Sequence, residues 1–358
     1  MNPFFETPLR IPVDKLASVT RNLRLGRTLT LASELLLEEG SVIACRVIGE
    51  KTTYNQLEDP HGRMSTLHDG DILVGALGHR NALQGYEGIL PTSLKTGDTV
   101  NLLNMGGVIG TCLSYNRDLG KPFEMEVLGQ VQVFPEFQSR AGQAAHIRMG
   151  ALQGTSLSPR CPVVYVAGTC MNAGKTAAAC AAIRQLSRAG YRVGACKLTG
   201  VSLMRDALAM RDYGAEVALD FTDAGVVCTD AGSAAGVARI IFSELAAHGV
   251  DVIVAETGDG IMGEYGVQAI LEDPALRALG GAFVLCANDP VGVAGGVHQL
   301  QSAFGIRADL VAGPATDNRV GERFVATLGL PARNARADAD ALGNFILGLV
   351  EAKLAAKA

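Results

Sequence analysis

Residues 161–176, CPVVYVAGTCMNAGKT, constrain the fold of this chain more than any other segment. The apolar run at 163–166 is short and ends before a glycine, which predicts a buried strand. The alanine-rich run at 177–189 predicts a helix that stops at Gly190. A strand, a glycine turn and a helix in this order direct backbone N–H groups and a helix N-terminus toward one point. The segment therefore predicts a phosphate-binding loop.

The end of this loop carries the two side chains that such loops use. A lysine in the position of Lys175 reaches the β and γ phosphates, and a hydroxyl in the position of Thr176 ligates magnesium. The common loop has four residues between its first glycine and Gly-Lys; here Thr169 holds that position and Gly168 lies one residue earlier. A plain strand-to-helix connection is the alternative for a bare Gly-Lys-Thr, but the flanking strand and helix favour a nucleotide loop. The residues predicted to surround the phosphates are Gly168, Thr169, Asn172, Ala173, Gly174, Lys175, Thr176 and Ala177.

The length and the pattern of the chain predict two domains. At 358 residues it exceeds the size at which single cores stop growing. After residue 161, strands alternate with helices, which predicts a mostly parallel α/β sheet with ligands beyond the carboxyl ends of its strands. Before residue 140, short apolar segments separated by glycine turns predict a small β-barrel or sandwich. These segments are residues 42–47, 72–77, 99–103, 108–113 and 127–133.

We therefore expect a β-rich accessory or substrate domain over residues 1–140, a linker over 141–160 and a P-loop domain over 161–358. The linker is expected because its residues are small and polar. Near the C-terminus, residues 341–353 carry an apolar stripe at helical spacing. Such a stripe packs either into a core or against a second copy of the chain, so the sequence is compatible with a homodimer.

Composition excludes several classes of partner. The net charge is −5 and no run of like charges occurs, so we expect neither nucleic acid nor an acidic membrane surface as the main partner, and a small-molecule substrate instead. No stretch of about 18 apolar residues predicts a membrane span, and the N-terminus lacks a signal-peptide pattern. Eight cysteines without a CxxC pair favour reduced thiols and a cytoplasmic location.

Polar side chains follow the predicted parallel strands where each strand ends. Glu256 comes directly after VIVA, and a carboxylate near phosphate suits magnesium. Lys197 ends another strand and would add positive charge near a transferring phosphoryl group. The alternative for Glu256 is a carboxylate that caps a helix or a turn. The alternative for Lys197 is an ordinary surface lysine. In the β-rich half, His61 and His68 with Asp59 and Asp69 match no standard metal spacing, which favours an exposed polar loop.

Four motifs between Gly168 and Gly260 resemble those of dethiobiotin synthetase, in the same order. GTCMNAGKT resembles the GTDxxxGKT loop of that family, and CKLTG resembles its KPVxTG element. MRDALAM is similar to SDALAL, and VIVAETGDG is similar to VLVEGAGG. The resemblance covers about the second half of the chain and leaves the first ~140 residues without a counterpart.

The resemblance implies ATP at the loop and Mg²⁺ held by Thr176, Asp206 and Glu256, with Lys175 and Lys197 beside the transferred phosphoryl group. The assignment of Asp206 as a magnesium ligand rests on its position in the MRDALAM motif alone. In that family a carbamate or carboxylate is phosphorylated and an amine then captures the acyl phosphate, which implies a ligase. The positions implied to approach substrate are Thr199, Thr257 and Gly258.

This chain departs from the family pattern where that family approaches its substrate. Cys170 replaces the acid of the loop, Thr257 replaces a glycine, and Asp259 is an additional acid. We therefore expect a substrate other than the biotin precursor. Two other functions stay open: a nucleotide-dependent switch or metallochaperone, which would hydrolyse nucleotide without making a product, and a P-loop N-acyltransferase that holds the phosphates of coenzyme A.

Overall fold

The computed structural model describes residues 9–136, 142–154, 157 and 161–356. The chain divides into two compact units. The first comprises residues up to Ala151 together with two short segments from the second half, Val201–Met204 and Gly225–Cys228. The second comprises Leu152–Gly200, Arg205–Ala224 and Thr229–Ala358.

The first unit is built almost entirely of strands, with one 3-10 helix at Ser18–Leu23. Its strands are β1 (Leu9–Pro12), β2 (Lys15–Leu16), β3 (Thr28–Ala32), β4 (Val42–Ile48), β5 (Gln56–Glu58), β6 (Met64–Thr66), β7 (Ile72–Leu77), β8 (Arg80–Asn81), β9 (Tyr86–Ile89), β10 (Thr99–Leu102), β11 (Val108–Tyr115), β12 (Glu124–Val133) and β13 (Gln143–Ala144). Strands β5 and β6 form a separate antiparallel hairpin.

Five of these strands close into a ring. The pairings run from β4 to β7, β11, β10 and β12, and β12 pairs again with β4. The five are the strands that the apolar segments predicted, and their closure makes the unit a small barrel, the first of the two predicted forms. Its core contains the fully buried side chains of Ile43, Leu73, Ile109 and Met125.

The second unit alternates strands and helices as predicted. Its strands are β14 (Val163–Gly168), β15 (Val193–Lys197), β16 (Val217–Asp220), β17 (Val252–Glu256), β18 (Gly280–Cys286) and β19 (Leu310–Ala312). Its helices are α1 (Lys175–Arg188), α2 (Arg205–Asp212), α3 (Ala234–Ala247), α4 (Val267–Glu272), α5 (Pro274–Arg277), α6 (Pro290–Phe304), α7 (Arg319–Thr327) and α8 (Ala339–Ala355), with a 3-10 helix at Pro314–Thr316.

The six strands of the second unit form one parallel sheet in the order β16-β15-β17-β14-β18-β19. Strand β14 lies near the centre, and the chain continues to β15 on one side and later to β18 on the other. This reversal of direction is where open α/β sheets bind ligands, beyond the carboxyl ends of the strands. The α/β class predicted from the alternation is confirmed.

Apolar side chains cover both faces of this sheet, which fully parallel sheets require. On one face, Val164 and Val166 join the core that contains Leu186 of α1 and Ile346 of α8. On the other face, Leu285 packs in a second core with Val293 and Leu300 of α6. The C-terminal stripe lies in the first of these cores, since Leu342, Ile346 and Val350 are all buried there.

Two further findings concern the chain as a whole. Among the described residues, no helix combines the length and the apolar character needed to cross a membrane. Six of the eight cysteines are buried.

Asp273 is a partly buried carboxylate that joins α4 to α5. It accepts hydrogen bonds from the backbone N–H groups of Ala275 (2.9 Å) and Leu276 (3.1 Å) and contacts Arg239. Burial alone would raise the pKa of this carboxyl, but these hydrogen bonds and the Arg239 charge outweigh it and hold the pKa below its usual value.

We predict that Asp273→Ala lowers the free energy of unfolding by about 2 kcal/mol at pH 7, because a helix cap and a charge-assisted bond are lost together. Because the folded pKa is depressed, the contribution is present above the usual carboxyl pKa and fades as the pH falls. Urea unfolding of wild type, Asp273→Ala and Asp273→Asn at pH 7 and pH 4 measures this. Asn keeps the capping oxygen and should lose less; equal stability of all three would contradict the prediction.

Candidate functional site

The predicted phosphate-binding loop closes around its own lysine. Lys175 is the first residue of α1, is buried, and donates a hydrogen bond from Nζ to the carbonyl oxygen of Cys170 at 2.7 Å. Its side chain passes over Gly168, where a Cβ atom would lie 2.9 Å from Lys175 Cδ. Glycine at the end of β14 thus leaves room for the lysine, which explains the early glycine of this variant loop. Gly174 has φ 88°, a left-handed conformation that favours glycine.

Strand register brings Glu256 to this loop. In the sheet, Val166 of β14 lies opposite Glu256 of β17, and Glu256 lies opposite Lys197 of β15. The Thr176 hydroxyl donates a hydrogen bond to Glu256 Oε1 at 3.2 Å. The other carboxylate oxygen, Oε2, is buried and has no hydrogen-bond partner among the described residues.

This arrangement fits a magnesium ion. Mg²⁺ prefers oxygen ligands and is usually held by one or two carboxylates together with phosphate oxygens and water. The unpartnered oxygen of Glu256 and the Thr176 hydroxyl are two such ligands at the start of α1. Within the described ranges no group of three or more His, Cys, Asp or Glu side chains forms a metal cluster. Two protein ligands would leave the other coordination positions of a bound Mg²⁺ to phosphate oxygens and water.

The buried Asp206 carboxylate forms an ion pair with the partly buried Lys197 at the same edge of the sheet. Lys197 Nζ contacts Asp206 Oδ2 directly, and Arg205 Nε lies 3.7 Å from Asp206 Oδ1. Burial lowers the pKa of Lys197, and the negative charge of Glu256 acts in the opposite direction. Asp206 is thus held between two cations, and it positions the Lys197 ammonium beside Glu256.

These groups surround a cavity of about 310 Å³. Its walls contain three cations and three carboxylates: Lys175, Lys197, Arg205, Asp206, Glu256 and Asp259. Of the residues predicted from the sequence, the cavity wall also contains Asn172, Ala173, Gly174, Thr176, Ala177 and Gly258. Arg205 was not predicted, although it precedes the acid of the MRDALAM element.

Four predicted residues lie behind this wall. Thr199 is fully buried, and its hydroxyl donates to the Gly258 carbonyl at 2.9 Å. Thr257 is also fully buried, and its hydroxyl donates to the Val166 carbonyl at 3.3 Å. Gly168 lies under the Lys175 side chain, and the Thr169 N–H donates to Cys286. In this structure the two threonines fasten strand-end loops to each other, and their hydroxyls are engaged with backbone carbonyls.

Two of the three departures from the dethiobiotin synthetase pattern, Asp259 and Cys170, occupy different places. Asp259 lines the cavity with a left-handed backbone, φ 63°. Burial raises the pKa of Asp259, and the charge of Lys175 opposes that rise. Cys170 lies deeper in the loop, where its Sγ accepts a hydrogen bond from Asn288 Nδ2 at 3.0 Å. Asp259 is therefore the departure that a bound molecule would meet directly.

Comparison with protein-family models finds no match, and comparison with curated protein sequences finds none either. Among solved structures, the 54 kDa signal recognition particle protein of Aeropyrum pernix in complex with GDP is 17% identical, with a TM-score of 0.37 over 57% of this chain and 53% of that one. The signal recognition particle receptor FtsY of Elizabethkingia anophelis in complex with GDP is 15% identical, with a TM-score of 0.38 over 51% and 58%.

A DUF1611 family protein of Anabaena variabilis is also 15% identical, with a TM-score of 0.39 over 57% of this chain and 64% of that one. This chain thus spans only about half to two thirds of the length of these three structures. The function proposed below rests on the geometry of the loop and its surrounding side chains.

We predict that Asp259→Asn raises the affinity of the cavity for sulfate about fivefold at pH 7, because one negative charge is removed beside Lys175. Since the pKa of Asp259 is raised, wild-type affinity should increase as the pH falls toward the weakly acidic range, and the variant should lose that increase. Sulfate keeps a constant charge over this range. Calorimetric titration measures both effects.

The matched control is Glu351→Gln, an exposed carboxylate on α8, which should titrate sulfate as wild type does. Lys175→Ala serves as the reference in which loop binding is lost. If Asp259→Asn keeps the wild-type affinity and the wild-type pH dependence, Asp259 does not face the bound anion.

Proposed function

We propose that this chain is an ATP- and magnesium-dependent enzyme that activates a carboxylate or carbamate of a small metabolite by phosphorylation and then joins it to an amine, as a ligase. One observation carries the proposal. Lys175 and Thr176 begin α1 after the loop that follows β14, Lys197 ends β15 and Glu256 ends β17, and the four side chains meet at one cavity. That combination of a phosphate loop, a second lysine and a magnesium-type carboxylate is what phosphoryl transfer requires.

The loop would hold the phosphates of the nucleotide. Its backbone N–H groups and the N-terminus of α1 supply positive partial charge, and Lys175 supplies a full charge from a side chain that is already ordered. Thr176 and Glu256 would hold Mg²⁺, which neutralises phosphate charge and orients the γ-phosphoryl group. The fit of these two residues is supported by the Glu256 oxygen that has no partner in the described part of the chain.

Lys197 and Arg205 would stabilise the charge that develops during transfer. Both line the cavity. Lys197 contacts the Asp206 carboxylate directly and is ordered by it, and the exposed Arg205 lies 3.7 Å from the same carboxylate. Preorganised charge of this kind costs no reorganisation when the reaction occurs. A substrate carboxylate oxygen would bond to the γ-phosphorus as ADP leaves, and an amine would then displace phosphate from the acyl carbon.

The amine must lose a proton when it forms the new bond. Asp259 lines the cavity and forms no ion pair among the described residues, so its carboxylate is positioned to accept that proton. Asp259 is the additional acid of this chain, and it has no counterpart in the dethiobiotin synthetase motif.

The test is a product assay with ATP, Mg²⁺ and pairs of small carboxylic acids and amines. We expect ADP, phosphate and a new amide in equal amounts, and we expect Lys175→Ala to abolish both nucleotide binding and turnover because the phosphate charge loses its main partner. Lys95→Ala, an exposed lysine of the first unit, is the matched control and should retain wild-type activity.

Other outcomes distinguish the remaining functions. Phosphate release without a new bond would indicate a nucleotide-dependent switch. Firm binding of coenzyme A together with no binding of ATP would indicate an acyltransferase. Full activity in Lys175→Ala would exclude any function that depends on this loop.

We also predict that Glu256→Gln raises the Mg²⁺ concentration needed for half-maximal turnover about tenfold or more, because an amide oxygen replaces a charged ligand. Gln keeps the size of the side chain and can still accept the bond from Thr176. Turnover measured against Mg²⁺ at fixed ATP provides the readout. Glu272→Gln, at the exposed end of α4, is the control, and an unchanged Mg²⁺ requirement in Glu256→Gln would count against the metal role.

A further inference from the structure

The first unit contains a cavity of about 910 Å³, larger than the cavity at the phosphate loop. Strand β2, the 3-10 helix at Ser18–Leu23, the segment that follows it and the β5–β6 hairpin form its walls. A volume of this size lies in the range of sites that bind metabolites and cofactors. The function proposed above does not use it.

The charge of this cavity is opposite to that of the chain. The whole chain carries −5, but five cationic side chains and only two carboxylates line the cavity, which leaves a formal charge of +3. The five cations are Lys15, Arg21, Arg24, Arg27 and Arg63. A concave wall with one sign of charge concentrates ligands of the opposite sign.

Arg24 and Arg63 are the two cations of this cavity that are available to a ligand. By contrast, Lys15 Nζ binds Asp71 at 2.5 Å, and Arg27 donates to the Asp14 carbonyl at 3.1 Å. Among the residues that the structure describes, the guanidinium groups of Arg24 and Arg63 form no ion pair. An unpaired guanidinium in a concave wall is suited to bidentate recognition of a carboxylate or a phosphate.

The hairpin that carries Arg63 is held in place by its own acid. Asp59 Oδ1 accepts the backbone N–H groups of His61 at 2.8 Å and Arg63 at 2.9 Å. One oxygen of the Asp59 carboxylate is therefore engaged by backbone donors, and no ion pair joins this carboxylate to the Arg63 side chain among the residues that the structure describes. The polar stretch predicted as an exposed loop or a weak metal candidate thus forms one wall of the cavity, through Asp59, His61 and His68.

The remaining wall is partly apolar. Leu16, Leu25 and Met64 line it together with the hydroxyl groups of Thr20 and Ser65. Such a wall accommodates an organic body beside the charged groups, whereas an inorganic ion would fill only a small part of the volume.

We propose that this cavity binds a small organic anion that carries two or more negative charges on carboxylate or phosphate groups, with Arg24 and Arg63 as its principal charge contacts. The site is separate from the phosphate loop and is independent of the reaction proposed above. Its ligand is a second molecule that the protein recognises in its β-rich unit.

The test uses the full chain carrying Lys175→Ala, so that the phosphate loop contributes no anion binding. Citrate and fructose 1,6-bisphosphate are titrated calorimetrically at low salt, with fructose as the neutral comparison. We expect saturable binding of at least one anion, none of fructose, and weaker binding as ionic strength increases because the charges lie at a solvent-accessible wall. The preferred anion shows whether carboxylate or phosphate groups are recognised.

In the Lys175→Ala chain, a second change, either Arg24→Gln or Arg63→Gln, should weaken anion binding about tenfold, because each removes one charge-assisted contact. Both arginines are exposed, so neither change should unfold the protein, and circular dichroism checks this. Arg117→Gln, an exposed arginine of the same unit outside the cavity, should leave the affinity unchanged. No saturable binding of either anion, or binding that Arg24→Gln and Arg63→Gln both leave intact, would overturn the proposal, whatever the outcome of the ligase assay.

Discussion

The candidate site depends on the pairing of β14 with β17. Their parallel register places Glu256 opposite Val166, so that the carboxylate lies beside the first turn of α1 and accepts the Thr176 hydroxyl. A shift of one residue would turn the Glu256 side chain to the other face of the sheet, because side chains alternate along a strand. The same strand fixes Lys197 on its other side through the β15 pairing. One stretch of backbone hydrogen bonds thus sets the positions of the loop, the carboxylate and the second lysine.

Buried charge is what this arrangement must accommodate. Lys175, Asp206 and Glu256 are all buried, and isolated charges in such surroundings would be strongly destabilising. The structure offsets that cost with specific partners: the Cys170 carbonyl for Lys175, Lys197 for Asp206 and the Thr176 hydroxyl for one oxygen of Glu256. The second oxygen of Glu256 is the exception, since it has no hydrogen-bond partner in the described part of the chain.

Much of the fold could be predicted because its local signals are strong. The apolar segments of the first unit became the five strands of the closed ring, and the alternation in the second unit became the parallel sheet. Short elements such as β8 and α5 were not predicted, since two to four residues carry no readable period. The segments Val201–Met204 and Gly225–Cys228 were also beyond prediction, because their membership of the first unit arises from distant contacts such as the Asn104–Ser202 bond.

The sequence by itself determined the strand–glycine turn–helix segment at 163–188, the strand-end residues and the separation into a β-rich and an α/β half. These follow from residue type and spacing, which act over a few neighbouring residues. Tertiary structure alone decided that the β-strands close into a ring, that Thr199 and Thr257 point into the packed wall, and that Arg24 and Arg63 line one cavity with Lys15. Those features depend on which strands pair and on how side chains from distant segments pack together, and a one-dimensional pattern does not specify these contacts.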